Sequence, residues 1–179
     1  MSPITQPSKS DRSQKVRGRS GQALIEFALV AVMLMVMLFA IIDFSRIILI
    51  HQVMINVSRE GGNLISRGTD MTNAINALIV SAQPLDINTH GCIILSAVFN
   101  NSGTCTISAQ QKTGGIVATS KVGPLGATGG AVHLPNPQLP QTNQTLWVSE
   151  VFYSFTPVTP VGKLLGITLP RTNYDAAYF

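Results

Sequence analysis

The stretch GQALIEFALVAVMLMVMLFAII, residues 21–42, decides the fold of this chain. Residues 27–42 carry no charge, and residues 23–50 contain only three ionisable side chains, Glu26, Asp43 and Arg46. A helix rises about 1.5 Å per residue, so about 20 such residues cross a hydrocarbon core about 30 Å thick. The sequence therefore predicts a single transmembrane helix over residues 22–50.

Glu26 is the first candidate site residue. It follows Gly21 by five positions and begins the apolar run with a carboxylate. An ionised carboxylate costs up to about 3 kcal/mol at the centre of a membrane helix, and residues of this kind usually mark functional sites. We therefore expect Glu26 to have a partner for its charge.

The charges that flank the span predict its orientation. Five basic residues and one acidic residue precede it, whereas Arg46 and Arg59 beyond it are offset by Asp43 and Glu60. An excess of basic residues marks the cytoplasmic side, so the N-terminus is expected in the cytoplasm. A cleaved secretory signal is not expected, because its apolar part would be only about 7 to 15 residues long and would end at small residues.

Residues 1–21 are polar and basic, with Ile4 and Val16 as the only large aliphatic residues. Such a segment buries too little apolar surface to fold, so we expect it not to order. No aromatic residue is interleaved with its cations, and nucleic-acid binding is not expected. The whole chain has 12 basic and 8 acidic residues, and without residues 1–21 seven of each remain.

The basic leader, Gly21, four further residues, Glu26-Phe27 and the apolar run resemble the processing site of class III prepilins. The motifs I-I-D-F-S-R at 41–46, V-S-R-E-G-G at 57–62 and E-V-F-Y-S-F-T-P at 150–157 resemble the TadE-like family. These are minor pseudopilins of the tight-adherence (Flp, type IVb) pilus system. The resemblance covers residues 21–179 and is strongest over 21–68.

This resemblance implies that a prepilin peptidase cuts after Gly21, so that Gln22 becomes the first residue of the mature chain. Glu26 and Phe27 would then be the fifth and sixth. It also implies a role in assembling or priming the pilus from the bacterial inner membrane, with the head in the periplasm or outside the cell. The implied partners are the peptidase, other pilins and pseudopilins, inner-membrane assembly components and the membrane itself.

Physical chemistry offers two interpretations of Glu26. Cleavage would create an α-amino group with a pKa of about 7.7 to 8.0, and that amine could pair with Glu26 of a neighbouring subunit and offset the desolvation of both charges. Alternatively, Glu26 lies near the start of an uncleaved anchor helix, where the helix macrodipole favours an acidic side chain.

The helix is expected to continue outward over residues 51–68, with Gly68 as its C-cap. Gly61-Gly62 within it indicates either close packing of helices or a kink. A second helix is predicted from about Asp70 to Gln83, capped by Thr69 or Asp70. The predicted domains are the leader 1–21, the span 22–50, the extension 51–68 and an extracytoplasmic α/β head 69–179.

The sequence of the head predicts short strands separated by Gly, Pro and Asn. Residues 92–99 and 104–109 predict a hairpin, and 116–122, 131–134 and 146–155 predict further strands or edges. In the last of these, even-numbered residues from Leu146 lie on one face and odd-numbered residues from Trp147 on the other. The predicted class is α+β, with a small antiparallel sheet packed on the helices.

Cys92 and Cys105 allow two structures. A hairpin turned at residues 100–103 pairs positions that sum to 203, which places Cys92 opposite Gln111 and far from Cys105. A disulfide between the cysteines would instead contribute about 3 kcal/mol in the chain-entropy model. The two structures exclude each other. Neither makes a metal site, because no histidine clusters with the cysteines.

Enzyme activity, a catalytic residue and a cofactor are not expected. His51, His90 and His133 are scattered, and the sequence has neither a G-x-S-x-G nor an H-E-x-x-H motif. The main alternative to a pseudopilin is a membrane-anchored extracytoplasmic binding domain without a role in the pilus. An unrecognised membrane enzyme ranks third.

Overall fold

The computed structural model describes residues 9–135, 139–160, 162 and 172–179, with the backbone alone for residues 9–20. The elements in chain order are α1 Lys9–Ser66, α2 Met71–Ser81, α3 Ile87–His90, β1 Gly91–Asn101, β2 Thr104–Gly114, a 3-10 turn Gly129–Ala131, β3 Thr145–Ser154 and β4 Thr172–Tyr178. A long apolar helix, a short second helix and an antiparallel sheet confirm the predicted α+β class.

The helix α1 has 58 residues and is about 87 Å long at 1.5 Å per residue. Within the described chain, its part Gly21–Ser66 is the one helix with the length and composition to span a membrane. Its most apolar window has a mean hydropathy of 2.8 and none of it is buried in the protein. The prediction that the leader does not order is wrong for residues 9–20. These residues extend an existing helix, which avoids the cost of nucleating a new one.

The outer end of α1 is closed by a glycine cap, as predicted. Gly68 has a φ of +87°, and its N–H donates to the carbonyl of Ile65 at 3.1 Å. The next N–H, of Thr69, donates to Leu64 at 3.1 Å, which completes a Schellman motif. Asp70 then caps α2 by accepting from the N–H groups of Thr72 and Asn73.

The four strands form one antiparallel sheet in the order β2-β1-β3-β4. One face packs on the helices, where Met54 of α1, Leu78 of α2, Ile93 of β1 and Val151 of β3 share a buried core. On β3 the predicted alternation is confirmed. Trp147, Val151, Tyr153 and Phe155 face the helices, and Leu146, Val148 and Phe152 pack on the other side.

The second face of the sheet is covered by the segment 115–134. Residues 116–122 and 131–134 do not form strands, so those two predictions are wrong. Their apolar side chains instead pack onto the sheet, and Val122 is the most deeply buried of them. An alternating apolar pattern therefore does not distinguish a strand from an irregular segment that packs on a sheet.

The hairpin β1–β2 forms, but its predicted register is wrong. Ser102 and Gly103 both have positive φ, as a two-residue hairpin turn requires, so Asn101 pairs with Thr104. An extra residue at Ser108 then shifts the pairing once more. As a result, Cys92 lies opposite Gly114 and not opposite Gln111.

The glycine pair of α1 marks close packing. A Cβ added at Gly61 would lie 2.9 Å from Cδ1 of Leu78 in α2 and still closer to the hydroxyl of Ser149 in β3. A Cβ at Gly62 would meet the ring of Phe179. Of the two interpretations from sequence, close approach is therefore the one observed, and it involves β3 as well as α2.

Candidate processing and assembly site

The four predicted site residues lie on one stretch of α1 that is exposed on all sides. Gly21, Gln22, Glu26 and Phe27 all belong to the continuous helix, and Phe27 is 72% exposed. Apart from the adjacent residues and the backbone of the helix itself, no atom of the described residues lies within 4 Å of a Cβ placed on Gly21. This part of the helix is therefore free to contact other molecules.

One helical turn brings Gln22 and Glu26 together. Nε2 of Gln22 donates to Oε1 of Glu26 at 3.0 Å, the contact expected for residues four apart on a helix. The donor is a neutral amide, so this bond satisfies an oxygen without compensating the charge. In the uncut chain, the residue that would become the new N-terminus is thus already next to the carboxylate.

Asp43 ties the helix to the head. The carboxylate is 4% exposed, and its Oδ1 accepts from the N–H groups of Val158 at 3.2 Å and Thr159 at 3.3 Å. Its Oδ2 accepts from the hydroxyl of Thr159 at 2.5 Å. Asp43 and Arg46 are spaced i, i+3 and can face each other on the helix, but the groups that donate to Asp43 belong to a loop more than 110 residues away.

A second contact, which is partly buried, joins α1 to the last strand. The hydroxyl of Ser58 donates to Oδ2 of Asp175 in β4. Ser58 lies within the V-S-R-E-G-G motif, and it is fully buried. Sequence reasoning missed both Asp175 and its strand, since nothing local links residue 58 to residue 175.

Glu150 is a fully buried carboxylate at the centre of β3. It accepts from the hydroxyl of Ser120, from the N–H of Lys121 at 2.8 Å and from the hydroxyl of Tyr174 at 3.0 Å. The bonds from Ser120 and Lys121 attach the covering segment to the sheet, and the bond from Tyr174 joins β4 to β3. Burial and the neighbouring Glu150 carboxylate both raise the pKa of Tyr174 above its ordinary value of 10.0.

The Lys121 side chain completes this cluster. Its Nζ lies 3.5 Å from the centre of the Tyr174 ring, which is a cation–π contact. A carboxylate held by three donors in this way is a structural element that fixes the covering segment. The alternation of β3 placed Glu150 among apolar neighbours, and this was the available signal that it needed buried donors.

Cys92 and Cys105 are both free and buried. They lie at opposite ends of the hairpin, opposite Gly114 and Asn100 respectively, so the hairpin alternative is the one observed. Burial raises the pKa of the Cys92 thiol, which disfavours the reactive thiolate. Within the described ranges, no group of three or more His, Cys, Asp or Glu side chains could hold a metal ion.

Comparison with known proteins identifies the segment that carries the site. The family model described as TadE-like protein matches residues 21–63, which begin at Gly21 and include Asp43 and Ser58. The chain therefore contains a TadE-like domain, consistent with a protein of the tight-adherence pilus system. The E-V-F-Y-S-F-T-P motif at 150–157 lies outside the match. No curated protein and no solved structure matches the chain.

Proposed function

We propose that this chain is a minor pseudopilin that helps to assemble or prime the tight-adherence pilus after a prepilin peptidase cuts behind Gly21. The observation that carries the proposal is the exposed site Gly21–Phe27 at the start of the TadE-like domain, with Glu26 held by a neutral amide. The role is physical and not catalytic. Its partners are the peptidase, other pilins and pseudopilins, and inner-membrane assembly components.

Gly21 supports processing at this position. A glycine inside a helix costs about 0.5–1 kcal/mol relative to alanine. Nothing in the described structure packs near its Cβ position, so the chain gains no close contact in return. A glycine retained at an exposed helical position fits recognition by another protein, here a peptidase that must approach the backbone.

Glu26 supports the assembly step. A cut after Gly21 converts the N–H of Gln22 into an amine, one helical turn from the carboxylate. When helices of several subunits pack in the membrane, the amine of one subunit pairs with Glu26 of the next and offsets the desolvation of both. The exposed apolar side chains from Leu24 to Ile42 supply the surface on which the helices pack.

The proposed orientation follows the positive-inside rule. Residues 1–21 lie in the cytoplasm, α1 crosses the inner membrane and the head lies beyond it. The cut therefore takes place on the cytoplasmic side and leaves the head attached to the membrane.

A substitution at the cleavage position tests processing. Gly21→Leu should leave the precursor uncut while membrane insertion persists, because the larger side chain blocks approach to the backbone. Ala28→Leu is the matched control, since it makes a larger residue on the same exposed helix and should still be processed. Intact mass spectrometry of the membrane fraction measures both, and a cut after residue 21 in Gly21→Leu would contradict the proposal.

A substitution at Glu26 separates assembly from processing. Glu26→Gln keeps the size and hydrogen-bonding capacity but removes the charge, so the protein should be cleaved and yet fail to support pili. If Glu26 serves only the helix macrodipole, the change costs at most about 1 kcal/mol and pili persist. Electron microscopy of cells that carry cleaved Glu26→Gln protein at normal abundance decides, and wild-type numbers of pili would exclude the pairing role.

A further inference from the structure

The loop of residues 155–160 lies against α1 beside the membrane segment. It follows β3, and its residues Val158 and Thr159 donate their N–H groups to Asp43. Asp43 comes directly after the uncharged run of residues 27–42. The contact therefore holds part of the head at the depth of residue 43 on the helix.

The lipid-facing surface of α1 does not end at that depth. Phe44, Ile48 and Leu49 remain exposed beyond Asp43, and the exposed polar residues His51 and Gln52 come next. Six residues of helix from Asp43 to Leu49 rise about 9 Å. Val158 is bound at the level of Asp43. It therefore lies beside the exposed apolar part of the helix, closer to the N-terminal end than Leu49.

Besides Asp43, the one charged side chain between residues 43 and 49 is Arg46, which is exposed. A long arginine side chain can reach from such a position to the phosphate layer while its stem stays among apolar groups. Asp43 itself is covered by the loop that it binds. Both charges between residues 43 and 49 are therefore compatible with surrounding lipid.

Residues 157–160 of the loop present no unpaired backbone N–H group. Irregular backbone is tolerated at membrane depth only where its polar groups are satisfied. Pro157 and Pro160 have no N–H, and those of Val158 and Thr159 are bound to Asp43. The Thr159 hydroxyl donates to Asp43 and accepts from the N–H of Gly162 at 3.4 Å. Every backbone donor from 157 to 160 is thus either absent or bound.

We propose that this loop enters the outer layer of the bilayer and places the Val158 side chain among the lipids. Val158 is 61% exposed, so among the described residues this apolar side chain projects from the loop largely uncovered. The head then rests on the membrane through two elements, α1 and the loop 155–160. The inference requires that α1 spans the membrane, but it does not depend on processing or on a pilus.

Quenching of tryptophan by brominated lipid tests the contact. The full chain carries Trp147→Phe, so that a tryptophan introduced at Val158 is the only one. Phosphatidylcholine vesicles with bromine near the carbonyl end of the acyl chains should reduce the fluorescence of this tryptophan at least twofold relative to vesicles without bromine.

Leu125→Trp in the same background is the matched control. Leu125 is 60% exposed, nearly the same as Val158. It adjoins Gly126, which bonds to Ile107 near the hairpin turn, at the end of the sheet away from Asp43. Bromine should reduce its fluorescence by less than about a tenth. Equal fractional quenching at the two positions would overturn the proposal.

Asp43→Ala in the Val158→Trp protein tests the attachment of the loop. Loss of the acceptor should reduce quenching toward the value at position 125, and unchanged quenching would refute the role of Asp43.

A second measurement keeps Trp147 in place. Val158→Cys and Leu125→Cys carry a nitroxide label, while the native thiols are buried. The label at 158 should be more accessible to oxygen than to a water-soluble nickel complex, and the reverse order at 158 would exclude lipid contact.

Discussion

Replacement of Gly61 by alanine should destabilise the head, although alanine is the better helix former. The added Cβ would lie 2.9 Å from Cδ1 of Leu78 and 3.1 Å from Cβ of Ser149, with the Ser149 hydroxyl closer still. Both neighbours are fully buried, in α2 and β3, and neither can turn outward. The substitution therefore has to separate α1 from the core.

The magnitude follows from two opposing effects. Alanine gains about 0.5–1 kcal/mol over glycine within a helix. Overpacking a core costs about 1–3 kcal/mol. The midpoints of these two ranges differ by about 1.3 kcal/mol, which is the expected net loss of unfolding free energy. For a domain of this size, about 4 °C of melting temperature corresponds to each kcal/mol, so the melting temperature should fall by about 5 °C.

The neighbouring glycine supplies the matched control. Gly62→Ala has the same intrinsic helix gain, but its Cβ meets the ring of Phe179, which is 45% exposed and can swing away. It should cost less than Gly61→Ala. Near-ultraviolet circular dichroism of Trp147 during thermal unfolding in detergent micelles measures both, because this ring packs in the core.

A second test combines Gly61→Ala with Ser149→Ala. The Ser149 hydroxyl is buried and has no hydrogen-bond partner in the described structure, so its removal alone should change little. In the Ser149→Ala protein, Gly61→Ala should cost about 1 kcal/mol less unfolding free energy than in the parent. The remaining cost should come from the contact with Leu78. A Gly61→Ala protein as stable as the parent, or no recovery with Ser149→Ala, would refute the packing argument.

Two further predictions concern topology and pH. Reporter fusions placed after Ser66 and after Phe179 should both indicate an extracytoplasmic location, because Met71–Ser81 is too short for a second span; a cytoplasmic signal at either point would overturn the orientation. Tyr174 has a pKa raised above 10.0, so the fold favours the neutral phenol, and this stabilisation is complete below pH 10 and lost as the pH rises above it. Tyr174→Phe should therefore flatten the fall in melting temperature between about pH 9 and pH 11, and an identical slope would show that burial and the Glu150 carboxylate do not raise the pKa of Tyr174 in the folded protein.

Features with a local cause were predictable from sequence. The apolar run predicted the span of α1, Gly68 and Asp70 predicted the helix ends, and the alternation of residues 146–155 predicted both faces of β3. The residues of the proposed processing site are local as well, since Gly21 to Phe27 is one exposed stretch of helix. In each case the residues that determine the structure lie within a few positions of one another.

Features that depend on distant partners were not predictable in this way. The strand β4, T-N-Y-D-A-A-Y, contains Asn, Asp and Ala, which are depleted in strands. Its pairing with β3 and the bond from Ser58 to Asp175 overcome this weak preference. The hairpin register failed because the turn occupies Ser102-Gly103 and a bulge follows at Ser108. No local signal linked Asp43 to Thr159.

These distant contacts determine how a displacement of α1 would reach the head. Asp43 and Ser58 lie 15 residues apart on α1, about 22 Å along its axis, and bind the loop 155–160 and β4 respectively. Sliding the head along the helix would break both contacts at once and would leave the buried Asp43 and the half-buried Asp175 carboxylates without these donors. The Schellman end of α1 and the close approach at Gly61 add a third attachment near the outer end. A displacement of α1 in the membrane should therefore move the head as one rigid body, as a subunit that acts through its helix requires.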